Sequence, residues 1–215
     1  VEIETREKGF LNSLSENRPH QGIVLQATHL EFEDMDSLPR AVDSGDQQRA
    51  PVWLALDMVT DPQNLGSLLR SAFFLGVDGV FLSRKNSCPL TPVVSKASSG
   101  ASEIMPVHAV RNLVKVLELA KDDGWQVLGA ELESDKSIRA SEADTTAPTV
   151  LVLGSEGHGL RTNILKACSS RVAIPRGTSA LGTHADARLI DSLNVGVAGG
   201  VLLHSLLNAR AIEKQ

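Results

Sequence analysis

Residues 52–82 read VWLALDMVTDPQNLGSLLRSAFFLGVDGVFL, and this stretch decides the fold class. Val52–Leu56 is a short, unbroken apolar run, the pattern of a strand covered on both faces. Across residues 64–75, Leu65, Leu68, Leu69, Ala72 and Phe73 recur at helical spacing along one face. Residues 79–82 are apolar again. Strand, helix and strand in so short a span predict a crossover unit, and with it a parallel sheet.

The alternation continues outward. The pattern predicts a small-residue helix over 93–102. An amphipathic helix is expected over 109–121, with Val110, Leu113, Val114, Leu117 and Ala120 on one face. Strands are expected over 126–130, 149–153 and 171–174, and a helix over 161–168. A long helix is expected from about Ser192 to Arg210, with loops over 133–148 and 176–190. The expected fold is therefore α/β, a mainly parallel sheet flanked by helices. Upstream, one strand-like patch, Gly22 to Thr28, lies in polar sequence. Residues 31–51 are acidic, Pro-bounded and non-periodic, as a loop or linker would be.

The chain has 215 residues, enough for one to two domains with a proper core. Its 42% apolar and 22% charged residues exclude wholesale disorder and low-complexity sequence. The net charge is −5, unevenly spread: residues 1–50 hold ten acids against five bases, and the rest hold sixteen of each. That balance argues against gripping nucleic acid by bulk positive charge. Cys88 and Cys168 form no metal-type pair and no disulfide framework, so they read as buried thiols of a reducing compartment. No two of the six His have the H-x-x-x-H spacing of a metal-binding helix, so no metal site is expected. The uncharged run from Ser192 to Ala209 just reaches membrane-span length, but it contains Asn194, His204, Asn208 and three Gly. It reads as a packed helix, and no membrane partner is expected. The chain opens on Val, as a processed or cut chain would.

Ligands of open α/β sheets bind beyond the carboxyl ends of the strands. Three segments of suitable chemistry lie there. The first, Asp61 to Arg70, opens a helix: Asn64 reads as its N-cap, Pro62 helps set the turn, and Gly66 suggests a close approach to the backbone. The second, residues 153–160 (LGSEGHGL), has glycines in G-x-x-G-x-G order. That is not the dinucleotide fingerprint, and it lacks the Lys and Ser/Thr of a phosphate loop. The third, residues 191–203, places Ser192 and Asn194 as caps on a helix rich in small residues. Taken singly, each also fits an ordinary capped helix, Gly-rich turn or close-packed helix.

Taken together, residues 61–80 (DPQNLGSLLRSAFFLGVDGV), 151–160 (LVLGSEGHGL) and 192–203 (SLNVGVAGGVLL) resemble, in order and spacing, the three signature motifs of the SpoU–TrmH branch of the SPOUT RNA methyltransferases. The resemblance covers about residues 52–210. Residues 18–23 (RPHQGI) resemble the segment that precedes the catalytic domain in members with an N-terminal RNA-binding domain. Residues 83–107 look most like mitochondrial large-subunit rRNA ribose methyltransferases, the fungal ones among them.

The resemblance implies methyl transfer from S-adenosyl-L-methionine to a ribose 2′-hydroxyl, in close relatives that of a guanosine in the peptidyl-transferase region of large-subunit rRNA. It implies a C-terminal deep trefoil knot, a homodimer formed through it, and a mitochondrial matrix location. It makes residues 51–215 the catalytic domain, and residues 1–50 the remnant of an RNA-binding domain plus its acidic linker. Arg70, Asn64, Glu156, Ser192 and Asn194 fall at catalytic positions. Gly154, Ile174 and Leu193 fall at cofactor-contacting positions, with Leu153 and Gly157 beside them.

A guanidinium stays protonated in proteins, so Arg70 suits a phosphate clamp and a stabiliser of alkoxide charge better than a base. Asn64, Ser192 and Asn194 would orient the ribose and Arg70, and Glu156 would hold Arg70 or a backbone amide. A SPOUT base methyltransferase and a catalytically silent RNA-binding factor are the alternatives. One departure stands out: residues 176–191 separate Ile174-Pro175 from the Ser-Leu-Asn motif, where the family needs only a handful. The insertion is expected to be mobile and leaves the role of Ile174 open.

Overall fold

The computed structural model describes residues 2–40, 50–144, 146–177 and 192–212, the last four of these by backbone alone. The strands are β1 (Glu33–Asp34), β2 (Val52–Leu56), β3 (Gly79–Ser83), β4 (Val107–Val110), β5 (Gln126–Ala130), β6 (Ser137–Arg139), β7 (Thr149–Leu153) and β8 (Ser170–Ala173). They form one sheet in the order β1-β4-β3-β2-β7-β5-β8-β6, and every pairing is parallel. The helices are α1 (Lys8–Leu14), α2 (Pro62–Leu75), α3 (Pro92–Ala97), α4 (Ala101–Ile104), α5 (Leu113–Asp122), α6 (Thr162–Ala167) and α7 (Val195–Ile212).

Side chains alternate across a strand, so β2 and β7 divide their residues between two apolar layers. Val52, Leu54, Leu56, Leu151 and Leu153 face one layer with Leu65, Leu68 and Leu69 of α2 and Leu202, Leu203 and Leu206 of α7. Trp53, Ala55, Val150 and Val152 face the other, with Leu113 and Leu117 of α5 and Ile164 of α6. Covering on both faces is what makes these strands continuous apolar runs. The central pair β2–β7 brings the carboxyl ends Leu56 and Leu153 into register.

The structure corrects several expectations. The helix expected over 109–121 begins at Leu113, because Ala109 and Val110 belong to β4 and Asn112 caps the helix through Lys115 N–H at 3.1 Å. The helix expected over 93–102 is two helices, broken where Ser99 and Gly100 turn left-handed. Residues 22–28 form no strand, and Ile23 and Leu25 are exposed. The expected loop over 133–148 contains β6 and a short 3₁₀ turn over Ala140–Glu142. The acidic stretch 31–51 supplies β1, and Leu38 is buried while the Trp125 indole donates to the Pro39 carbonyl at 3.0 Å. These pieces are too short to show a period, and pairing with a neighbouring strand decides them. The insertion lies outside the described residues from 178 to 191.

Candidate active site

β2 hands over to α2 through residues 57–61, and Asp61, not Asn64, is the N-cap. Its carboxylate accepts from the Gln63 and Asn64 N–H groups at 2.6 and 3.2 Å, with Pro62 in the first turn. Asn64 is thereby free for other work. It is buried, and its side-chain amide faces two residues far away in sequence. Asn64 Nδ2 donates to Glu156 Oε2 at 2.8 Å, and Asn194 Nδ2 donates to Asn64 Oδ1 at 2.8 Å and to Glu156 Oε1 at 2.8 Å. Asn194 Oδ1 in turn accepts from the Gly196 and Val197 N–H groups at 2.9 and 3.3 Å, capping α7. The helix amides require an acceptor and the carboxylate requires donors, so both amide orientations follow from the network. One residue from each of the three sequence segments thus meets at the carboxyl ends of the two central strands.

Glu156 is carried by a hairpin. Ser155 and Gly159 exchange backbone hydrogen bonds at 3.2 and 2.9 Å, and Gly157 and Gly159 have φ of +83° and +63°. At Gly154 a Cβ would lie 2.2 Å from the Gly159 carbonyl group and 2.5 Å from Leu160 N, so the hairpin folds back onto its own root. The close approach expected at Gly66 is likewise internal: a Cβ there would meet Ala97 Cβ at 2.4 Å and the Val94 carbonyl at 2.9 Å.

The hairpin has an anchor that the sequence reading passed over. Asp57, just past the end of β2, is 1% exposed and takes Arg161 in a two-pronged pair, Nε to Oδ2 at 2.9 Å and Nη2 to Oδ1 at 2.7 Å. The Asp57 N–H also donates to the Leu153 carbonyl at 2.8 Å. Hydrogen bonding to Asp57 raises the Arg161 pKa further. The available signal was Asp57 itself, a charge ending a fully apolar strand, which has to be paired.

The remaining expected site residues fall as follows. Arg70 is exposed on α2, and its side chain forms no hydrogen bond or ion pair among the described residues. It lies about 9 Å further along the helix than Asn64, at the usual rise per residue, and is outside the polar triangle. Ser192 and Gly157 are exposed, and Leu193 is 52% exposed. Ile174 is half-buried against the core. Leu153 is fully buried, leaving its backbone as the group nearest the site. Burial pushes the Cys88 thiol up and the Cys168 thiol up to about 11, which disfavours nucleophilic thiolate at neutral pH. No cluster of three or more His, Cys, Asp or Glu suited to a metal occurs among the described residues. A groove of about 620 Å³ runs beside the triangle between α2 and α7, with Ser67, Ser71, Val197 and Val201 in its walls.

Residues 51–204 match the SpoU rRNA Methylase family. The chain is 39% identical over 210 residues to the Homo sapiens protein named "rRNA methyltransferase 1, mitochondrial", covering 93% of this chain and 57% of that protein. It is 33% identical over 239 residues to the Dictyostelium discoideum protein of the same name, covering 100% of this chain and 43% of that protein. The chain thus spans about half the length of these relatives. Among solved structures, the AdoMet-bound rRNA methyltransferase from Sinorhizobium meliloti superposes with a TM-score of 0.63 at 26% identity, over 75% of this chain and 57% of that one.

Proposed function

The chain belongs to the SpoU rRNA Methylase family, and on that premise we propose that it methylates a ribose 2′-hydroxyl of mitochondrial large-subunit rRNA, at a guanosine of the peptidyl-transferase region, with S-adenosyl-L-methionine as donor. The observation that carries this reading is the Asn64–Glu156–Asn194 triangle, built from segments 92 and 130 residues apart. Neutral amides fixed by a carboxylate suit the ribose hydroxyls, which need both donors and acceptors.

The residues at the expected cofactor positions also suit that group. Gly157 has open space at its Cβ position, Leu193 offers an exposed apolar side chain, and Ile174 a half-buried one. Residues 151–160 carry no Lys or Arg, which fits a nucleoside without phosphates. When bound, S-adenosyl-L-methionine supplies a methyl group activated by its sulfonium. The protein's part is alignment: Asn64 and Asn194 hold the ribose, and Glu156 holds both amides in place. Ser192 adds a hydroxyl beside them. Arg70, unpaired among the described residues, clamps a phosphate and stabilises charge on the attacking oxygen. Glu156 and Asn194 are exposed, so the hydroxyl proton has a route to solvent.

The same reading takes the C-terminal part of the chain as a deep trefoil knot, the location as the mitochondrial matrix, and residues 1–50 as the end of an RNA-recruiting domain with its linker. It takes the active form as a homodimer. The exposed apolar residues Val197 and Val201, which line the α2–α7 groove, support that assembly.

The test is methyl transfer from labelled S-adenosyl-L-methionine to large-subunit rRNA, with ribose methylation mapped by its resistance to alkaline cleavage. Arg70→Ala is expected to lower turnover at least a hundredfold while calorimetric cofactor affinity stays within a few-fold. Label on a base overturns the ribose assignment. Wild-type turnover by Arg70→Ala overturns the role of Arg70. Absence of both cofactor binding and transfer overturns the enzyme reading.

A further inference from the structure

The carboxyl edge of the sheet has a second flank. β3 runs on into Arg84, Lys85, Asn86 and Ser87, and β4 into Arg111. The two strands pair in parallel, and the Arg84 N–H donates to the Val110 carbonyl at 2.9 Å, so Arg84 and Arg111 leave the same edge from neighbouring strands. Arg84, Lys85 and Arg111 are exposed, as is Lys115 in the first turn of α5, a turn without acids.

The carboxylates of β1, which borders β4, are already engaged. Asp34 pairs with Arg84, and Glu33 lies 3.5 Å from the His108 ring. Lys85, Arg111 and Lys115 have no ion-pair partner among the described residues.

Two hydrogen bonds tie this flank to the segment between β2 and α2. The Met58 N–H donates to Ser83 Oγ at 3.3 Å, and the Cys88 N–H donates to the Val59 carbonyl at 2.9 Å. Both connections reach the segment that delivers Asn64. Met58 and Asn86 sit at φ of +59° and +60°, a conformation that costs a non-glycine residue energy and persists where surrounding contacts impose it. β2 lies between β3 and β7. The cationic turn and the Glu156 hairpin therefore approach the Asn64 cluster from opposite sides.

We infer that Lys85 and Arg111, extended by Lys115, form a ridge that grips the phosphate backbone of the substrate RNA beside the nucleotide at the Asn64 cluster; this rests on the RNA methyltransferase reading. Phosphate contacts position a nucleic acid without reading its sequence, and fixed cations on strand ends suit that task. The ridge also accounts for RNA recognition by a chain whose net charge is −5, since a few focused cations replace a bulk positive field.

The test uses the full chain, with Lys85→Glu and Arg111→Glu singly and together, and Lys85→Arg as the conservative variant. Filter binding of a labelled large-subunit rRNA fragment is measured at stepped potassium chloride, with cofactor calorimetry and steady-state methylation alongside. The double variant is expected to bind RNA at least tenfold more weakly at low salt, with a log–log salt slope shallower by roughly one to two. Its KM for RNA should rise with kcat and cofactor affinity nearly unchanged, and Lys85→Arg should behave as wild type. Unchanged RNA affinity and salt slope in the double variant overturn the ridge, as does a parallel loss of cofactor affinity. Wild-type chain that binds RNA through these residues yet transfers no methyl group overturns the methyltransferase reading and leaves the ridge standing.

Discussion

Asn64 uses both ends of its amide inside the site, donating to Glu156 and accepting from Asn194. Asn64→Asp keeps the shape and removes the donor, so a carboxylate then faces the Glu156 carboxylate. The variant is expected to lose about 1–3 kcal/mol of stability in urea unfolding. Its methyl-transfer rate should fall by two orders of magnitude or more. An unchanged rate would show that Asn64 does not orient the substrate. The sequence marked this residue as chemically important but gave it the wrong local job. Asp61 and Asn64 can both cap a helix, and the deciding cue was Pro62, which is most at home in a first turn and so places the cap one residue earlier. Asp57 went unnoticed because a single acid after a strand carries no spacing pattern. Its meaning depends on Arg161, 104 residues away.

Among the elements, the Glu156 hairpin depends on that pair. Arg161→Ala would leave the Asp57 carboxylate buried without its cation. Arg161 is partly exposed, so the cost is expected to be about 2–3 kcal/mol, near the lower end for breaking a buried pair. Urea unfolding measures it, and Arg161→Lys should recover only part, because an ammonium does not reproduce a two-pronged contact. A loss below about 0.5 kcal/mol, the level of surface pairs, would show that the hairpin is held by its own turn. The long central elements β2, α2, β5 and β7 were legible because burial on one or two faces writes a period into them. The start of α5 was not, since Ala109 and Val110 extend its apolar spacing backward although they pair with β3. Gly66 was read correctly as a close approach, but the neighbour is helix α3, which periodicity does not place in space.

For the whole molecule, the face over α2 and α7 is the surface on which the proposed homodimer rests. Phe74 is 85% exposed on α2, and Val197 and Val201 are 53% and 41% exposed on α7. Single exposed apolar residues are ordinary, but Val197 and Val201 lie together in one groove, and the proposed interface would cover them. Val197→Asp with Val201→Asp is expected to shift the light-scattering mass from dimer to monomer at micromolar concentration while circular dichroism stays unchanged. A wild-type chain that is already monomeric there would sink the dimer proposal. The arrangement of layers was readable from the alternation of elements, and the strand order was not. β2 sits beside β7, nearly a hundred residues later, because pairing in a parallel sheet is decided after the crossovers are made.

Asn194 closes the polar triangle with Asn64 and Glu156 and caps the first turn of α7 with the same side chain. The integrity of the site is therefore written into the backbone of a helix. Whatever draws Asn194 out of the triangle loosens the Gly196 and Val197 amides, and whatever settles it there protects them. Hydrogen–deuterium exchange at those two amides thus reports site assembly directly, without a substrate or a turnover assay.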